Sequence, residues 1–179
     1  MANRSPSKVW LMRGVYLALS LLILFFQLLP LDTLPRQLAP PDLLIAFTFA
    51  WSMRRPDYVP AAVVALAMLA ADLLLQRPPG LLAALCVAAS AYLKSRTLAV
   101  KEIGFASEWA LVSVVLLSVL VLNRLILAMT VSVTAPILLD VSALVLTIIT
   151  YPAVAAISQL VFGVRKPSRS DADALGAGA

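Results

Sequence analysis

Apolar residues along this chain fall into six runs, separated by short segments rich in proline and basic residues. A helix of about 20 apolar residues crosses the hydrocarbon core of a bilayer. The pattern therefore predicts an all-α integral membrane protein, a compact bundle of six transmembrane helices. The expected helices are Val9–Leu29, Leu43–Met53, Val59–Leu75, Leu81–Leu93, Phe105–Met129 and Ala135–Phe162.

Composition agrees with a membrane domain. Of the 179 residues, 62% are hydrophobic and 13% are charged, whereas an ordinary soluble domain is roughly 45–50% apolar. We expect a cytoplasmic segment over residues 1–8, one membrane domain over 9–162, and a disordered cytoplasmic tail over 163–179, which is small and polar.

The second run is too short to cross a bilayer unaided, so its path is tested by the distribution of basic residues, which collect in cytoplasmic loops. Six crossings with a cytoplasmic N-terminus place eleven Lys and Arg inside and three outside. A re-entrant second run reverses every later loop and places five inside and nine outside. The counts favour six crossings with both termini in the cytoplasm.

Several catalytic chemistries are excluded by residue type. The chain has no histidine and one cysteine, Cys86, which removes histidine-based nucleophilic dyads and histidine metal sites. No phosphate-binding glycine loop and no dense acidic motif occurs. The fourteen basic residues are dispersed between apolar runs, which is typical of membrane topology and not of nucleic-acid binding. We expect no enzymatic activity, no cofactor, no metal and no nucleic-acid partner.

Four ionisable residues in or beside the apolar runs fall at similar depth toward the outer leaflet: Asp42, Asp72, Arg124 and Asp140. A lone charge in hydrocarbon costs about 2.5–3.5 kcal/mol, so we expect a polar cluster in which Asp72 and Arg124 satisfy each other. The cluster is either a partner-binding or coupling site or a set of helix caps and structural ion pairs. Asp42 follows two prolines at a helix start, which favours a cap.

Other marked positions have ordinary explanations. Glu108 stands near the start of the fifth helix, where a carboxylate compensates the helix dipole. Ala84, Ala88 and Ala91 offer small side chains for close helix packing, either within the bundle or against a partner. The aromatic residues near predicted helix ends suit an interfacial belt: Trp10, Trp51, Tyr58, Tyr92, Trp109 and Tyr151.

Short motifs between Pro41 and Leu93 resemble the MreD family of bacterial rod shape-determining membrane proteins. They are, in order, Pro41-Asp42 opening the second helix, the turn Trp51-x-x-Arg54-x-Pro56, Asp72 late in the third helix, and Pro78-Pro79-Gly80 before the fourth. Pro79 departs from the family pattern, where leucine commonly precedes the glycine. The motifs cover about a third of the chain, while length and helix number fit the family over nearly all of it.

This resemblance implies a non-enzymatic scaffold of the cell-elongation complex in the bacterial inner membrane, which helps to organise peptidoglycan synthesis and cell shape. It implies MreC as the main partner, with MreB, RodA and a penicillin-binding transpeptidase in a larger complex. It also implies a fold like the substrate-binding subunits of energy-coupling-factor transporters. The alternative is therefore a substrate-binding membrane subunit of a small-molecule transporter, whose ligand would meet the outer-leaflet acids.

The charge distribution predicts the outcome of a topology experiment. Reporter fusions after Pro56, Ser95 and Ala179 should report cytoplasm, whereas fusions near Asp32, Pro79 and Val131 should report periplasm, because basic loops stay inside. Paired phosphatase and fluorescent-protein fusions measure this. A periplasmic signal after Ser95 contradicts the arrangement with six crossings.

Overall fold

A computed structural model of the protein describes residues 6–29, 38–99, 104–130 and 136–162. These residues form α-helices and one short 3₁₀ turn at Pro56–Tyr58, and contain no strand. The helices are α1 (Pro6–Leu28), α2 (Leu43–Arg54), α3 (Ala61–Leu74), α4 (Leu81–Ala99), α5 (Phe105–Met129) and α6 (Ile137–Phe162). The predicted all-helical architecture is confirmed, with six α-helices in the described ranges.

Three of these helices, α1, α5 and α6, are long and apolar enough to cross a membrane. Each also exposes large hydrophobic side chains on its outer face, including Phe25, Val121 and Ile149. An apolar surface along the whole length of a helix is unfavourable in water, whereas the hydrocarbon core of a membrane accommodates it. The coarse prediction of a membrane protein is supported by these helices.

Most predicted helix bounds lie within a few residues of the observed ones, but the expected end of α4 is wrong. The basic residues Lys94 and Arg96 do not end the helix, which continues to Ala99. The Lys94 ammonium donates a hydrogen bond to the carbonyl oxygen of Val59, and Arg96 lies over the Tyr92 ring and donates to its hydroxyl. Long basic side chains thus reach polar partners without interrupting the helix.

Helix α2 lies at the centre of the fold. Every residue from 44 to 54 is buried, although the helix has only 12 residues. Helices α1, α4 and α6 contact it, α5 packs against α4 and α6, and α3 packs against α4 and α1. A helix that is apolar on all sides belongs in the interior of a bundle, which explains how so short a segment is accommodated: its neighbours shield it.

An aromatic cluster fills the space around Trp51, which is fully buried. The Trp51 ring lies with its centroid 5.0 Å from that of Phe47 and 5.8 Å from that of Tyr16, and further contacts reach Tyr58 and Phe162. Such ring pairs add to the stabilisation from area burial. The expected interfacial belt is therefore wrong for Trp51 and Tyr58, which are core residues.

The remaining members of the expected belt differ in position. Tyr151 is fully buried and is also a core residue. Trp10, Tyr92 and Trp109 keep large exposed fractions, as an interfacial position requires. Burial of the ring, which the sequence does not encode directly, separates the two groups.

Two groups of polar contacts between helices lie at opposite ends of the helical bundle. At one end, the last residue of α2, Arg54, meets the first turn of α5 and the last turns of α6. At the other, Asp42 before α2 meets Arg77 after α3 and Thr147 of α6. We call these the Arg54 end and the Asp42 end.

Candidate functional site

Asp42 caps the start of α2, as expected from its place after two prolines. Its Oδ1 accepts a hydrogen bond from the amide of Ile45 at 3.2 Å, and its own amide donates to Thr147 Oγ1 at 2.8 Å. The amide of Ala39 donates to Ser142 Oγ at 3.0 Å. The segment before α2 is therefore fastened to α6, and the carboxylate satisfies an amide that the helix leaves free.

Asp72 performs a similar task across a turn. Its Oδ2 accepts hydrogen bonds from the amides of Gly80 at 3.0 Å and Ala83 at 3.2 Å, so a carboxylate on α3 caps α4. Gly80 has φ +87°, a conformation that a residue with a side chain rarely adopts. Asp72 is fully buried, which makes this turn a tightly specified part of the Asp42 end.

Arg124 forms its ion pair with Asp140. The distance from Arg124 Nε to Asp140 Oδ2 is 2.6 Å, and the two side chains are 25% and 31% exposed. The expectation that Asp72 satisfies Arg124 is replaced by two separate arrangements, because the Asp72 carboxylate binds backbone amides instead. Asp140, another member of the predicted cluster, is the acid that the fold brings close to Arg124.

A second ion pair at this end joins Arg77 Nη1 to Asp42 Oδ2 at 3.5 Å. Arg77 lies between the third and fourth apolar runs of the sequence, and the hydropathy pattern did not predict this role. The sequence did contain one signal of this role. This arginine stands directly before two prolines and follows a helix with an aspartate near its end. The four predicted cluster residues are thus divided by the fold. Asp42 and Asp140 line the same cavity as Arg77, and Arg124 binds Asp140. Asp72 instead supports the adjoining turn.

A cavity of about 300 Å³ opens between these groups. Polar atoms come from Asp42, Arg77, Asn123, Asp140 and Thr147, and the remaining walls are mainly leucine, valine and alanine side chains of α4, α5 and α6. An apolar cavity with a few converging polar groups is the usual form of a small-molecule site. Its chemistry is recognition, since two acids and a guanidinium at its edge provide charged hydrogen bonds.

The Arg54 end holds a buried polar network that sequence reasoning missed. Arg54 Nε lies 3.3 Å from Glu108 Oε1, and the two side chains are only 7% and 1% exposed. Arg54 Nη1 donates to the carbonyl of Ala155 at 2.8 Å and to Gln159 Oε1 at 3.2 Å, while Tyr151 donates to Glu108 Oε1 at 2.8 Å. The network joins α2, α5 and α6.

Glu108 lies in the first turn of α5, as expected of a residue that compensates the helix dipole. The sequence did not reveal that it is also the counter-ion of Arg54. A glutamate and an arginine 54 positions apart have no signal of proximity in a single sequence. Buried charges need such partners, because an isolated one is very costly.

The three small residues proposed as packing contacts, Ala84, Ala88 and Ala91, lie exposed on α4. Packing inside the bundle uses another face of the same helix, formed by Ala83, Cys86, Ala89, Ser90 and Leu93. Of the two roles considered, contact with an external helix is the one this placement leaves open. The described residues include no group of three or more side chains suited to hold a metal ion.

Comparisons with protein-family models, with curated proteins and with solved structures give no match to this chain. The MreD resemblance therefore rests on the motifs between Pro41 and Leu93. In the structure those motif residues are structural: Asp42 and Asp72 cap helices, and Trp51 and Arg54 are buried.

The buried Arg54–Glu108 pair predicts a specific pattern of stability. Arg54→Gln and Glu108→Gln should each lower the free energy of unfolding by about 3–5 kcal/mol, because each leaves an uncompensated buried charge. The double variant should lose less than the sum of the two. Cys86 is the only cysteine and is fully buried, so a thiol-reactive dye reports unfolding of detergent-solubilised protein.

Arg96→Gln is the matched control, since this arginine is exposed and bonds only to Tyr92 in the part of the chain described. It should leave the melting temperature nearly unchanged. Additive losses in the double variant would contradict a coupled Arg54–Glu108 pair.

Proposed function

We propose that this protein is a non-enzymatic membrane scaffold of the MreD type, which holds other membrane proteins of the bacterial elongation complex. The observation that carries the proposal is that the motif residues serve structural purposes in two adjoining parts of the fold, the helix α2 and the turn before α4, which packs against α2. Asp42 and Arg54 bound the buried helix α2, Trp51 fills its surroundings, and Asp72 with Gly80 builds the following turn. A set of short motifs with a shared structural purpose is a stronger basis for resemblance than the same motifs scattered over a fold.

The proposal includes six crossings of the bacterial inner membrane with both termini in the cytoplasm. In this arrangement the Arg54 end faces the cytoplasm and the Asp42 end faces the periplasm. Contacts between helix ends support this arrangement. Arg13 of α1 donates to the carbonyl of Asp57, which lies between α2 and α3. Lys94, late in α4, donates to the carbonyl of Val59, just before α3, so these helix ends lie on one side of the bundle. A fold like the substrate-binding subunits of energy-coupling-factor transporters belongs to the same proposal.

The partner of first interest is a transmembrane helix of MreC, with MreB, RodA and a penicillin-binding transpeptidase in the wider complex. A helix in lipid associates by close packing of small residues, since lipid supplies no hydrophobic drive between helices. The exposed positions 84, 88 and 91 of α4 offer such a surface, while the exposed faces of α5 and α6 also carry large side chains such as Leu117 and Ile149.

The second candidate function is a substrate-binding subunit of a small-molecule transporter, and the cavity at the Asp42 end favours it. A transporter subunit should co-purify with a small molecule or an energising module. A scaffold should co-purify with elongation proteins. Crosslinking in cells followed by mass spectrometry separates the two.

Depletion of the protein from its own rod-shaped bacterium should make the cells round or wide, because elongation-specific wall synthesis would lose its organisation. Light microscopy and labelling of new peptidoglycan measure this, and a plasmid copy of the gene should restore the rods. Normal shape and wall insertion after full depletion would refute the scaffold proposal.

Leucine at Ala84, Ala88 and Ala91 should reduce co-purification of MreC, because larger side chains hold a packed helix away. Ala110→Leu on the exposed face of α5 is the matched control and should leave capture unchanged. Undiminished capture by the triple variant would remove this face of α4 from the interface.

A further inference from the structure

The cavity at the Asp42 end is bordered by charges of both signs. Of the described residues, Asp42, Arg77 and Asp140 line it, and Arg124 pairs with Asp140 beside it. A ligand of net charge that displaced the Arg77–Asp42 contact would leave one of these two groups without compensation, which is costly in a partly buried site. A ligand that carries one positive and one negative group can pair with both residues.

The two pairs differ in strength, and the difference identifies where a ligand would bind. The Arg124–Asp140 contact is short, at 2.6 Å, whereas Arg77 reaches Asp42 with a single nitrogen at 3.5 Å, and the Arg77 side chain is 40% exposed. An arginine carries five donors in a planar fork that matches phosphate oxygens. Arg77 therefore has donors to offer a phosphate group, and Asp42 Oδ2 is close enough to accept from the ammonium of the same molecule.

The rest of the cavity suits a hydrocarbon chain. Leu116, Val119 and Leu120 of α5 and Leu144 of α6 line its walls. The same two helices also carry exposed apolar side chains outside the cavity, such as Leu117 and Val145, which in a membrane contact lipid. The helices that line the cavity are therefore the helices that a lipid would contact.

We propose that this cavity binds a zwitterionic lipid of the phosphatidylethanolamine class, with its phosphate on Arg77, its ammonium on Asp42 and the upper part of one acyl chain along the apolar wall. The volume of about 300 Å³ lies at the lower limit of small-molecule pockets, so the remainder of the lipid stays in the bilayer. This site goes beyond the scaffold proposal and does not rest on it.

Native mass spectrometry of the full-length protein in detergent, with phosphatidylethanolamine and phosphatidylglycerol added in equal amounts, tests the proposal. Phosphatidylethanolamine should be retained preferentially, because phosphatidylglycerol lacks the ammonium. Arg77→Gln should weaken retention of phosphatidylethanolamine about tenfold or more, since it removes a charged hydrogen bond. Equal retention of the two lipids by the unmodified protein would overturn the proposal without any variant.

Ala143→Leu tests the cavity by another route, because Ala143 lines it and a leucine there fills part of the space without changing charge. It should reduce retention, while Arg96→Gln at the opposite end should leave it unchanged. The Cys86 dye assay shows whether each variant is folded. A preference for phosphatidylethanolamine that survives both Arg77→Gln and Ala143→Leu would place the lipid elsewhere and overturn the proposal.

Soluble glycerophosphoethanolamine, which keeps the neutral phosphodiester head group, distinguishes a lipid from a soluble zwitterion. The dye assay should show stabilisation by phosphatidylethanolamine and none by glycerophosphoethanolamine at the same concentration, because the acyl chain supplies the apolar contact. Equal stabilisation by the two would refute a lipid and indicate a soluble zwitterionic ligand.

Discussion

The fold depends on the burial of α2, a helix of 12 residues with protein on every side. A buried helix must satisfy the polar groups at its ends without help from water. Asp42 does so at the start, where it accepts from the amide of Ile45, and the backbone amide of Arg55 closes the last turn on the carbonyl of Trp51. Helices α1, α4 and α6 pack around α2 and cover the residues between its two ends.

The two ends of α2 impose different conditions on their surroundings. At the Arg54 end a guanidinium is buried with a carboxylate, a tyrosine hydroxyl and a backbone carbonyl, and each of these groups has a partner in the network. At the Asp42 end the side chains of the ion pairs are a fifth to two fifths exposed and border a cavity. The first arrangement fixes three helices together, whereas the second leaves polar groups accessible. A ligand is therefore expected at the Asp42 end.

Hydropathy alone predicted the helices well, because each helix coincides with an apolar run of the sequence. The bounds of α5 agree with the prediction, whereas α4 was ended too early since Lys94 reaches a carbonyl that only the folded chain provides. Among site residues, the cap at Asp42 followed from local sequence. The partnership of Arg54 with Glu108 did not, because it depends on which faces of distant helices meet.

The cavity follows from the shortness of α2. With 12 residues α2 rises about 18 Å, while α5 and α6, with 25 and 26 residues, rise about 38 Å. Where α2 begins, its neighbours continue, and the space beyond its start is lined by the cap residue Asp42, by Ile45 of its first turn and by side chains of α5 and α6. The short second helix is thus the feature that gives the bundle an interior polar site within its apolar surroundings.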